Sequence, residues 1–288
     1  MKKKIIIALI SLLALTSLIL AAFCYFDNPD KILKVNFLDI GQGSAVLIQT
    51  PYKQNILIDG GDVDAKILRQ LPKFMPFYDR RIDLMILTHP HDDHVGGLVK
   101  VLQKYQVQKI VYTGVDYDTP AYQEFLQVSQ SRRTPLIVID RPQNIILGPD
   151  LNLDILYPFE SLVGRQIENW NNTSIVAKLT YQYNRFLFTG DIENEVETEL
   201  IAKNIDVASD VMLAAHHGSD TSNTQEFLDL VKPIFAVIQS GVDNEFGHPS
   251  LRVLRRLEKL GIIYFRNDLD GWVQFLSDGK KLTYTVEK

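Results

Sequence analysis

The sequence predicts an α/β fold arranged as a four-layer αββα sandwich, in which helices cover the outer faces of two packed sheets. After residue 26, apolar runs of strand length alternate with helical patterns. Several of these runs are continuous Val, Ile and Leu segments, as expected for strands that are covered on both faces. The stretch 27–288 shows no fixed repeat and no low-complexity linker, so it is predicted to form one domain.

The predicted elements follow in chain order. Strands are predicted for the short apolar runs at 33–40, 44–49, 55–59, 82–87, 107–112, 135–139, 151–157, 174–181, 185–189, 210–214, 234–239, 262–265 and 271–276. Helices are predicted for the amphipathic stretches at 64–71, 95–104, 120–132, 193–203, 223–231 and 250–260. The last helix has Ser250 near its start and Gly261 as its stop signal. Segment 141–172 is the least regular and is predicted to be a long loop near a site.

The N-terminal residues 1–26 are predicted to be a membrane anchor or a signal peptide. Residues 5–26 carry no charge and follow three lysines, and their length matches the roughly 20 residues that cross a bilayer. The lysines favour a cytoplasmic N-terminus, which places the domain 27–288 outside the cytoplasm. If the segment is cleaved instead, the domain is secreted. Cys24 is the only cysteine, so disulfides and a cysteine nucleophile are excluded from the exported part.

Charge narrows the possible functions. The chain has a net charge of −5 and no second long apolar span, which excludes a many-pass transporter and a generally basic nucleic-acid-binding surface. Positive side chains do cluster locally, at 80–81, at 132–133 and along the last predicted helix. The helix group consists of Arg252, Arg255, Arg256 and Lys259, and it is interpreted more simply as a solvated helix face.

The motif THPHDDH at 88–94 carries the clearest chemistry. It directly follows an apolar strand and precedes a predicted helix that opens with Val95-Gly96-Gly97. Histidine imidazoles and carboxylates are ligands for Zn²⁺, Mn²⁺ and Fe²⁺. The ligand candidates in the motif are His89, His91, Asp93 and His94. On a turn that leaves a strand, ligands two residues apart can point to the same side, and the adjacent Asp-His pair can serve a second ion.

The other three histidines of the chain also follow predicted strands or lie in short loops. His216 and His217 come after the strand VMLA, and His248 lies between Gly247 and Pro249. Asp191 follows the apolar run FLF after a Thr-Gly step, which is a suitable position for a carboxylate that bridges two ions. These residues extend the predicted metal site into the second half of the chain.

The motifs together resemble one known family. They are D-I-G-Q-G at 39–43, I-D-G-G at 58–61, THPHDDH, N-N-T-S at 171–174, F-T-G-D at 188–191 and H-H-G-S at 216–219. Their order and spacing are similar to those of the metallo-β-lactamase superfamily, whose fold is the αββα sandwich. With G-H-P-S at 247–250, the combination resembles the hydrolase domain of ComEC-like DNA-uptake proteins, here in a stand-alone exported form. The resemblance runs from about Val35 to about Val273.

The resemblance implies two divalent metal ions, with zinc favoured and manganese or iron as alternatives. It implies that His89 and His91 bind the first ion, that Asp93 and His94 bind the second, and that Asp191 bridges both. One histidine of the H-H pair completes the second ion. His216 is preferred because it comes first after the strand, and His217 is the alternative. Asp93 is also expected to orient the nucleophile, a water activated between the two ions.

The remaining motif residues are assigned supporting roles. Candidates for substrate contact are Asn171, Ser174, His217, Ser219 and His248, and His248 is also a candidate general acid or hydrogen-bond donor. Asp39, Gln42 and Asp59 are expected to brace the metal-binding turns, because ligand histidines need a partner for their second ring nitrogen. The chain departs from the family's D-x-G-Q-G-D pattern at Ser44, where an acid usually stands.

The predicted activity is hydrolysis of phosphodiesters by an exported enzyme, with DNA or a cell-wall polymer as the substrate. The alternatives are a cell-wall phosphoesterase that removes phosphorylcholine and a lactonase. Trp170, Tyr157 and Tyr183 are candidates for contact with a quaternary ammonium group. A catalytically inactive surface-interaction domain is the alternative that is not an enzyme. Protein partners are not indicated by any motif.

Overall fold

Two packed β-sheets form the centre of the molecule. The computed structural model describes residues 2–26 and 31–288, excluding the side chains of residues 2, 4, 7, 8 and 20–26. The first sheet has the spatial order β17 (Leu282–Val286), β16 (Val273–Ser277), β1 (Leu33–Phe37), β2 (Val46–Gln49), β3 (Asn55–Ile58), β5 (Leu84–Ile86), β7 (Ile110–Tyr112) and β8 (Leu136–Val138). The second has the order β15 (Ile263–Arg266), β14 (Phe235–Ile238), β13 (Val211–Leu213), β12 (Asn184–Phe188), β11 (Val176–Tyr181), β10 (Leu151–Tyr157) and β9 (Gln143–Gly148). A short parallel pair joins β4 (Arg81–Ile82) to β6 (Gln106–Val107).

Helices cover the outer face of each sheet. The helices of the described part are α1 (Lys2–Phe26), α2 (Ile67–Phe74), α3 (Asp92–Lys104), α4 (Pro120–Ser131), α5 (Asn194–Ala202), α6 (Gln225–Val231), α7 (Leu251–Lys259) and α8 (Asn267–Asp270). Short 3₁₀ turns lie at Asn171–Thr173 and Ala215–Gly218.

Three apolar clusters hold the layers together. The central cluster joins the inner faces of both sheets through residues such as Phe37 and Phe188. A second cluster joins the first sheet to α2, α3 and α4, and a third joins the second sheet to α5, α6 and α7. Along β2 the side chains alternate, because Ile48 packs in the central cluster and Leu47 in the outer one. This arrangement confirms the predicted αββα sandwich.

Two parts of the secondary-structure prediction are wrong. The segment 141–172, predicted to be a long loop, contains β9 as a strand that was not predicted. β10 coincides with the strand predicted at 151–157, and only the part after Tyr157 is a long loop. β9 is an edge strand whose side chains are mostly exposed or half-buried, and its apolar run is limited to residues 145–147. The C-terminal strand β17 was not predicted for the same reason, because its residues are exposed or half-buried.

The parallel strands of the two sheets end at the same edge of the sandwich. In the first sheet β3 pairs in parallel with β5, and Asp59 and Thr88 follow directly after them. In the second sheet β12, β13 and β14 are parallel, and Asp191, His217 and Gln239 follow their ends. Loops at the carboxyl ends of parallel strands meet in one crevice, and the arrangement of the two sheets therefore brings the motif residues together there.

The predicted anchor or signal segment overlaps the residues that the structure leaves undescribed, since residues 27–30 and the side chains of 20–26 lie outside the description. Where the chain is described, no helix combines the length and the apolar character that crossing a membrane requires.

Candidate metal centre

The first ligand-bearing loop connects β5 to α3. His91 is the N-cap of α3 and has an extended backbone, so Asp93 and His94 lie in the first turn of the helix. Acidic side chains are stabilised at this end of a helix by its dipole. The nearby Gly43 has a φ of +104°, and a Cβ there would lie 2.0 Å from the carbonyl oxygen of Asp93. The D-I-G-Q-G loop therefore packs directly against the turn that presents Asp93.

Asp59 holds this loop in place from the end of β3. One carboxylate oxygen accepts hydrogen bonds from the Thr88 hydroxyl at 2.7 Å and from Nδ1 of His94 at 2.8 Å. The other accepts the Thr88 backbone N–H at 2.8 Å. Because a carboxylate only accepts, Nδ1 of His94 is the protonated nitrogen, and its Nε2 is the atom that faces the site.

Asp191 enters the centre from the second sheet. After β12, Gly190 has a φ of +54° and turns the chain so that the buried carboxylate of Asp191 faces the first loop. Its backbone N–H donates to the Ser174 hydroxyl at 2.9 Å. Its Oδ2 lies 3.3 Å from Nε2 of His94 and 3.8 Å from Nε2 of His89. Asp191 is therefore placed between residues of both predicted ligand sets.

His217, and not His216, faces these carboxylates. Nε2 of His217 lies 3.1 Å from Oδ2 of Asp93 and 3.1 Å from Oδ2 of Asp191, and its side chain is 3% exposed. Nδ1 of His217 donates to the carbonyl oxygen of Gln239 at 2.8 Å, which leaves Nε2 for the site. This placement is opposite to the preference for His216 that the sequence suggested.

His216 points to a separate polar group outside the carboxylate cluster. Its Nδ1 lies 3.3 Å from Glu193, and its Nε2 lies 3.4 Å from Nδ2 of Asn171. The physical reason is the backbone: His216 and His217 both have left-handed angles, with φ of 50° and 55°. The order of the two histidines after the strand therefore does not decide which of their rings faces the carboxylates.

The residues present fit a pair of divalent cations. The ligand atoms of His89, His94 and Asp191 lie within 4.8 Å of one another, as do those of Asp93, His94 and His217. His91 adjoins the first group, with its Nδ1 3.1 Å from Nε2 of His89. Within the described residues, Nε2 of His94, Nε2 of His217 and Oδ1 of Asp191 are buried without a hydrogen-bond partner. Buried polar atoms that converge without bonding one another are typical of a ligand set.

The electrostatics of the cluster agree with this arrangement. Burial disfavours the charged form of His217, but Asp191 and Asp93 outweigh it and raise its pKa to about 10. The same carboxylates, with Asp59, raise the pKa of His94 well above its ordinary value. The two histidines in turn hold the pKa of Asp191 well below its usual range, although burial opposes this. A site of this kind stabilises positive charge at its centre.

His248 lies at the rim of the cluster. Its ring centroid is 5.4 Å from that of His216 and 6.2 Å from that of His217, and Phe246 stacks on it at 5.7 Å. Burial, helped by the neighbouring His217 and His216, lowers the pKa of His248 to about 4. The neutral imidazole therefore predominates near pH 7, and of the two roles that the sequence offered this form suits the hydrogen-bond donor better than the general acid.

Three predicted substrate residues are held by the protein itself. Ser174 is fully buried, and its hydroxyl accepts the N–H of Asp191. Asn171 donates to Glu193 at 2.8 Å, and the Ser219 hydroxyl lies 3.1 Å from that of Thr221. These side chains therefore position loops of the site, and their contact with substrate stays a prediction.

Of the three predicted bracing residues, only Asp59 contacts a ligand-bearing turn with its side chain. The Asp39 carboxylate instead accepts the N–H of Gly41, and Gln42 accepts the N–H of Gly241 at 3.1 Å. Gln42 therefore ties the D-I-G-Q-G loop to the loop that carries His248. The partner is about 200 positions away in the chain, and no local pattern could have indicated it.

Several residues of the site were missed by the sequence reasoning. Thr88 joins Asp59 to the first ligand loop, and Gln239 orients His217. Tyr117 was also missed, whereas Trp170 was predicted only as a contact for a quaternary ammonium group. The two form an aromatic surface beside His91, with ring centroids 4.8 Å apart and that of Tyr117 5.7 Å from His91. Thr88 belongs to the THPHDDH motif and could have been identified there, whereas the aromatic pair joins two separate loops.

Comparison with known proteins places these features in a family. The family model described as the metallo-beta-lactamase superfamily matches residues 38–240. The chain is 26% identical over 269 residues to ComE operon protein 3 of Bacillus subtilis, covering 88% of this chain and 34% of that protein. It is 30% identical over 262 residues to competence protein ComA of Neisseria gonorrhoeae, covering 90% and 35% respectively. The chain thus spans about a third of the length of these relatives.

Solved structures share the fold at low sequence identity. The metallo-beta-lactamase fold protein YhfI of Bacillus subtilis has a TM-score of 0.54 and 13% identity, covering 81% of this chain and 95% of that one. Zn²⁺-bound PqqB of Methylobacterium extorquens has a TM-score of 0.52 and 11% identity, covering 78% and 85%. At these identities the likeness concerns the fold alone.

Proposed function

Because the chain belongs to the metallo-β-lactamase superfamily, a family of metal-dependent hydrolases, we propose that it hydrolyses phosphodiester bonds. The observation that carries the proposal is the convergence of buried, unbonded histidine and carboxylate atoms at the carboxyl ends of both sheets. The set retains every residue of the THPHDDH motif and Asp191, which argues against an inactive interaction domain. Nucleic acid is the substrate that we favour.

We assign each ligand from its place in the cluster. His89, His91 and Asp191 would hold one ion, and Asp93, His94 and His217 would hold the second together with Asp191. When bound, two divalent ions, most simply zinc, with manganese or iron as alternatives, supply a lowered pKa for water and stabilise negative charge on the scissile group. Asp59 fixes the tautomer of His94, and Gln239 fixes that of His217.

The rim residues would act on the substrate. His248 lies in the G-H-P-S loop, which Asn244 holds by donating to the His248 carbonyl oxygen at 2.6 Å and accepting its N–H at 2.9 Å. These contacts hold the backbone of His248, and its ring, stacked on Phe246, can donate a hydrogen bond to a phosphate oxygen in the transition state. Beside His91, Tyr117 and Trp170 offer a half-buried aromatic surface on which a base can stack.

The choice of phosphodiesters over other esters has two supports. The sequence resembles the hydrolase domain of DNA-uptake proteins, and the relatives in the comparison carry the names competence protein and ComE operon protein. The aromatic set suggested for phosphorylcholine is not assembled, because Tyr183 lies in the β11–β12 turn at the far end of the sandwich and Tyr157 donates to the Asn172 carbonyl. Of these three predicted aromatic residues, only Trp170 lies beside the metal centre.

Export is a separate part of the proposal. The uncharged segment 5–26 would anchor the domain on the outer side of the membrane, or would be cleaved to release it. In either case the substrate would be an extracellular phosphodiester polymer, either DNA or a polymer of the cell wall.

The proposal is tested by metal analysis and hydrolysis assays on the full chain purified in detergent. We expect about two equivalents of zinc or manganese after reconstitution, with hydrolysis of bis-p-nitrophenyl phosphate and single-stranded DNA. p-Nitrophenylphosphorylcholine and a lactone serve as the alternative substrates. Asp93→Ala should be folded by circular dichroism and inactive, since Asp93 lies in the first turn of α3 and belongs to none of the three apolar clusters. Preferred cleavage of either alternative substrate, or an active Asp93→Ala variant, would refute the assignment.

A further inference from the structure

A groove lined by positive side chains lies between α6 and α7, next to the candidate metal centre. Its lining consists of Gln225, Arg252, Arg255, Arg256 and Lys259, and its volume is about 330 Å³. We refer to it as the α6–α7 groove. The domain as a whole is acidic, with a net charge of −5 for the chain. A concave surface lined by four cations and one amide is therefore a local exception to the charge of the molecule.

The first α7 residue of the groove, Arg252, lies four positions after His248 in the chain. The Ser250 N–H donates to the Gly218 carbonyl oxygen at 2.9 Å, which joins the start of α7 to the H-H-G-S loop. Arg252 also reaches that loop, with Nη1 3.6 Å from Oδ2 of Asp220. A substrate that contacts His248 can therefore continue along α7 without leaving the protein surface.

The four cations differ in how far they are engaged by the protein. Arg256 is structural, since its guanidinium donates to the carbonyl oxygens of Ser222 and Asn223 at 3.3 and 2.9 Å. Arg255 and Lys259 are exposed, and in the described part of the chain no hydrogen bond or ion pair engages their side chains. The neighbouring acidic residue of α7, Glu258, accepts a hydrogen bond from the Tyr264 hydroxyl at 3.1 Å, and Arg252 is paired with Asp220. Positions 252, 255 and 259 are all cations, whereas a solvated helix face laced with ion pairs alternates positive and negative charges.

The length of the row matches several phosphates. With a rise of about 1.5 Å per residue, positions 252–259 extend over about 10 Å along α7. A nucleic-acid strand carries about three phosphates over that distance. The spacing thus suits consecutive charges of one polymer better than a single small anion.

We propose that the α6–α7 groove is a binding subsite for the phosphate backbone of a polymeric substrate, adjacent to the bond that is cleaved. The proposal rests on the proposed phosphodiesterase function and adds where the polymer lies. Arg252, Arg255 and Lys259 bind phosphates that flank the scissile group. The shared ligand chemistry is a chain of phosphodiesters, which single-stranded nucleic acid and wall teichoic acid both provide.

Binding is measured directly, so that the test does not depend on turnover. The full chain is titrated with a fluorescein-labelled single-stranded oligonucleotide in EDTA, over a series of salt concentrations. The variant Arg252→Gln/Arg255→Gln/Lys259→Gln should bind at least tenfold more weakly at low salt. The slope of log K against log salt should fall by about 2, because each phosphate contact on a single strand contributes about 0.7.

The matched control removes the same charge from the far end of the sandwich. Lys31, Lys34 and Lys109 are exposed and lie at the ends of β1 and β7 opposite the metal centre. The triple substitution of these residues by Gln should leave both affinity and slope unchanged. Equal weakening by both triple variants would mean that only overall charge is sensed, and it would overturn the proposal.

Competitors show whether charged phosphates or bases carry the binding. A glycerol-phosphate polymer should displace the oligonucleotide, and an oligonucleotide with a methylphosphonate backbone should not. Effective competition by the uncharged oligonucleotide would show that bases carry the binding, and would contradict a backbone subsite. If oligonucleotide binding depends on the three cations but no phosphodiester is hydrolysed, the subsite is supported and the proposed function is refuted. The failure of one proposal is therefore distinguishable from the failure of the other.

Discussion

The two loops that bring histidines to the centre are built in different ways. The first, residues 88–94, leaves a parallel strand and enters α3 at once, so the backbone of the helix fixes Asp93 and His94. The second, residues 214–219, enters no long helix and contains two consecutive histidines with left-handed backbones. Its shape depends on Asn223, which accepts the Ala215 N–H and donates to the Ala215 carbonyl oxygen, both at 2.9 Å.

This difference explains why one loop can be interpreted from sequence and the other cannot. A short turn between a strand and a helix limits where each side chain points, because the strand before it and the helix after it both have regular backbones. A loop held by a distant side chain has no such limit, and the inward histidine is chosen by contacts with Gln239, Asp93 and Asp191. Substitutions in the two loops can show how much each loop contributes to metal binding and hydrolysis.

The largest effect is expected from the pair His217→Ala and His216→Ala. His217→Ala removes a buried ring that faces two carboxylates. This variant should bind about one equivalent of metal less than the unchanged protein and should show no measurable hydrolysis. His216→Ala removes a ring that faces Glu193, and it should keep its metal and much of its activity. Elemental analysis and turnover of both variants decide the matter. Loss of metal in His216→Ala with retention in His217→Ala would restore the original preference.

His248→Ala should have the next largest effect. A rim imidazole that donates a hydrogen bond to the developing charge contributes about 10²–10⁴-fold to turnover. The ring is not part of the converging ligand groups, so metal content should remain nearly unchanged. Phe246→Ala is the control, because it removes the ring stacked on His248 but no hydrogen-bonding group. A full loss of one metal equivalent would instead make His248 a ligand.

The fold and the first ligand loop were predictable because their signals are local. Apolar runs gave most strands, and the THPHDDH motif gave His89, His91, Asp93 and His94 as one group. The roles of Ser174 and Gln42 were not predictable, since each depends on a single contact with a residue far along the chain. Polar side chains at a site are equally suited to substrate and to backbone partners, and only the folded geometry distinguishes the two.

Asp59→Asn tests the support of the first loop. The amide can still accept the Thr88 N–H through its oxygen, but its NH₂ group cannot accept from the Thr88 hydroxyl and Nδ1 of His94. Loss of such a partner typically lowers metal affinity by about 10–100-fold. Competition with a chelating dye measures the affinity, and Asp64→Asn, on the exposed part of the same loop, is the control. Unchanged affinity in Asp59→Asn would mean that the helix alone orients His94.

The smallest effects are expected from two serines that the sequence treated alike. Ser174→Ala leaves the buried N–H of Asp191 without its acceptor, and an unsatisfied buried donor costs about 1–3 kcal/mol of unfolding free energy. Ser219→Ala removes a hydroxyl pair with Thr221 inside one turn, which is worth about 0.5–1.5 kcal/mol. Urea denaturation of metal-free protein should rank Ser174→Ala below Ser219→Ala in stability, and neither should raise KM substantially. A large rise in KM with normal stability would make the substituted serine a substrate contact, and the second loop would then bind substrate as well as metal.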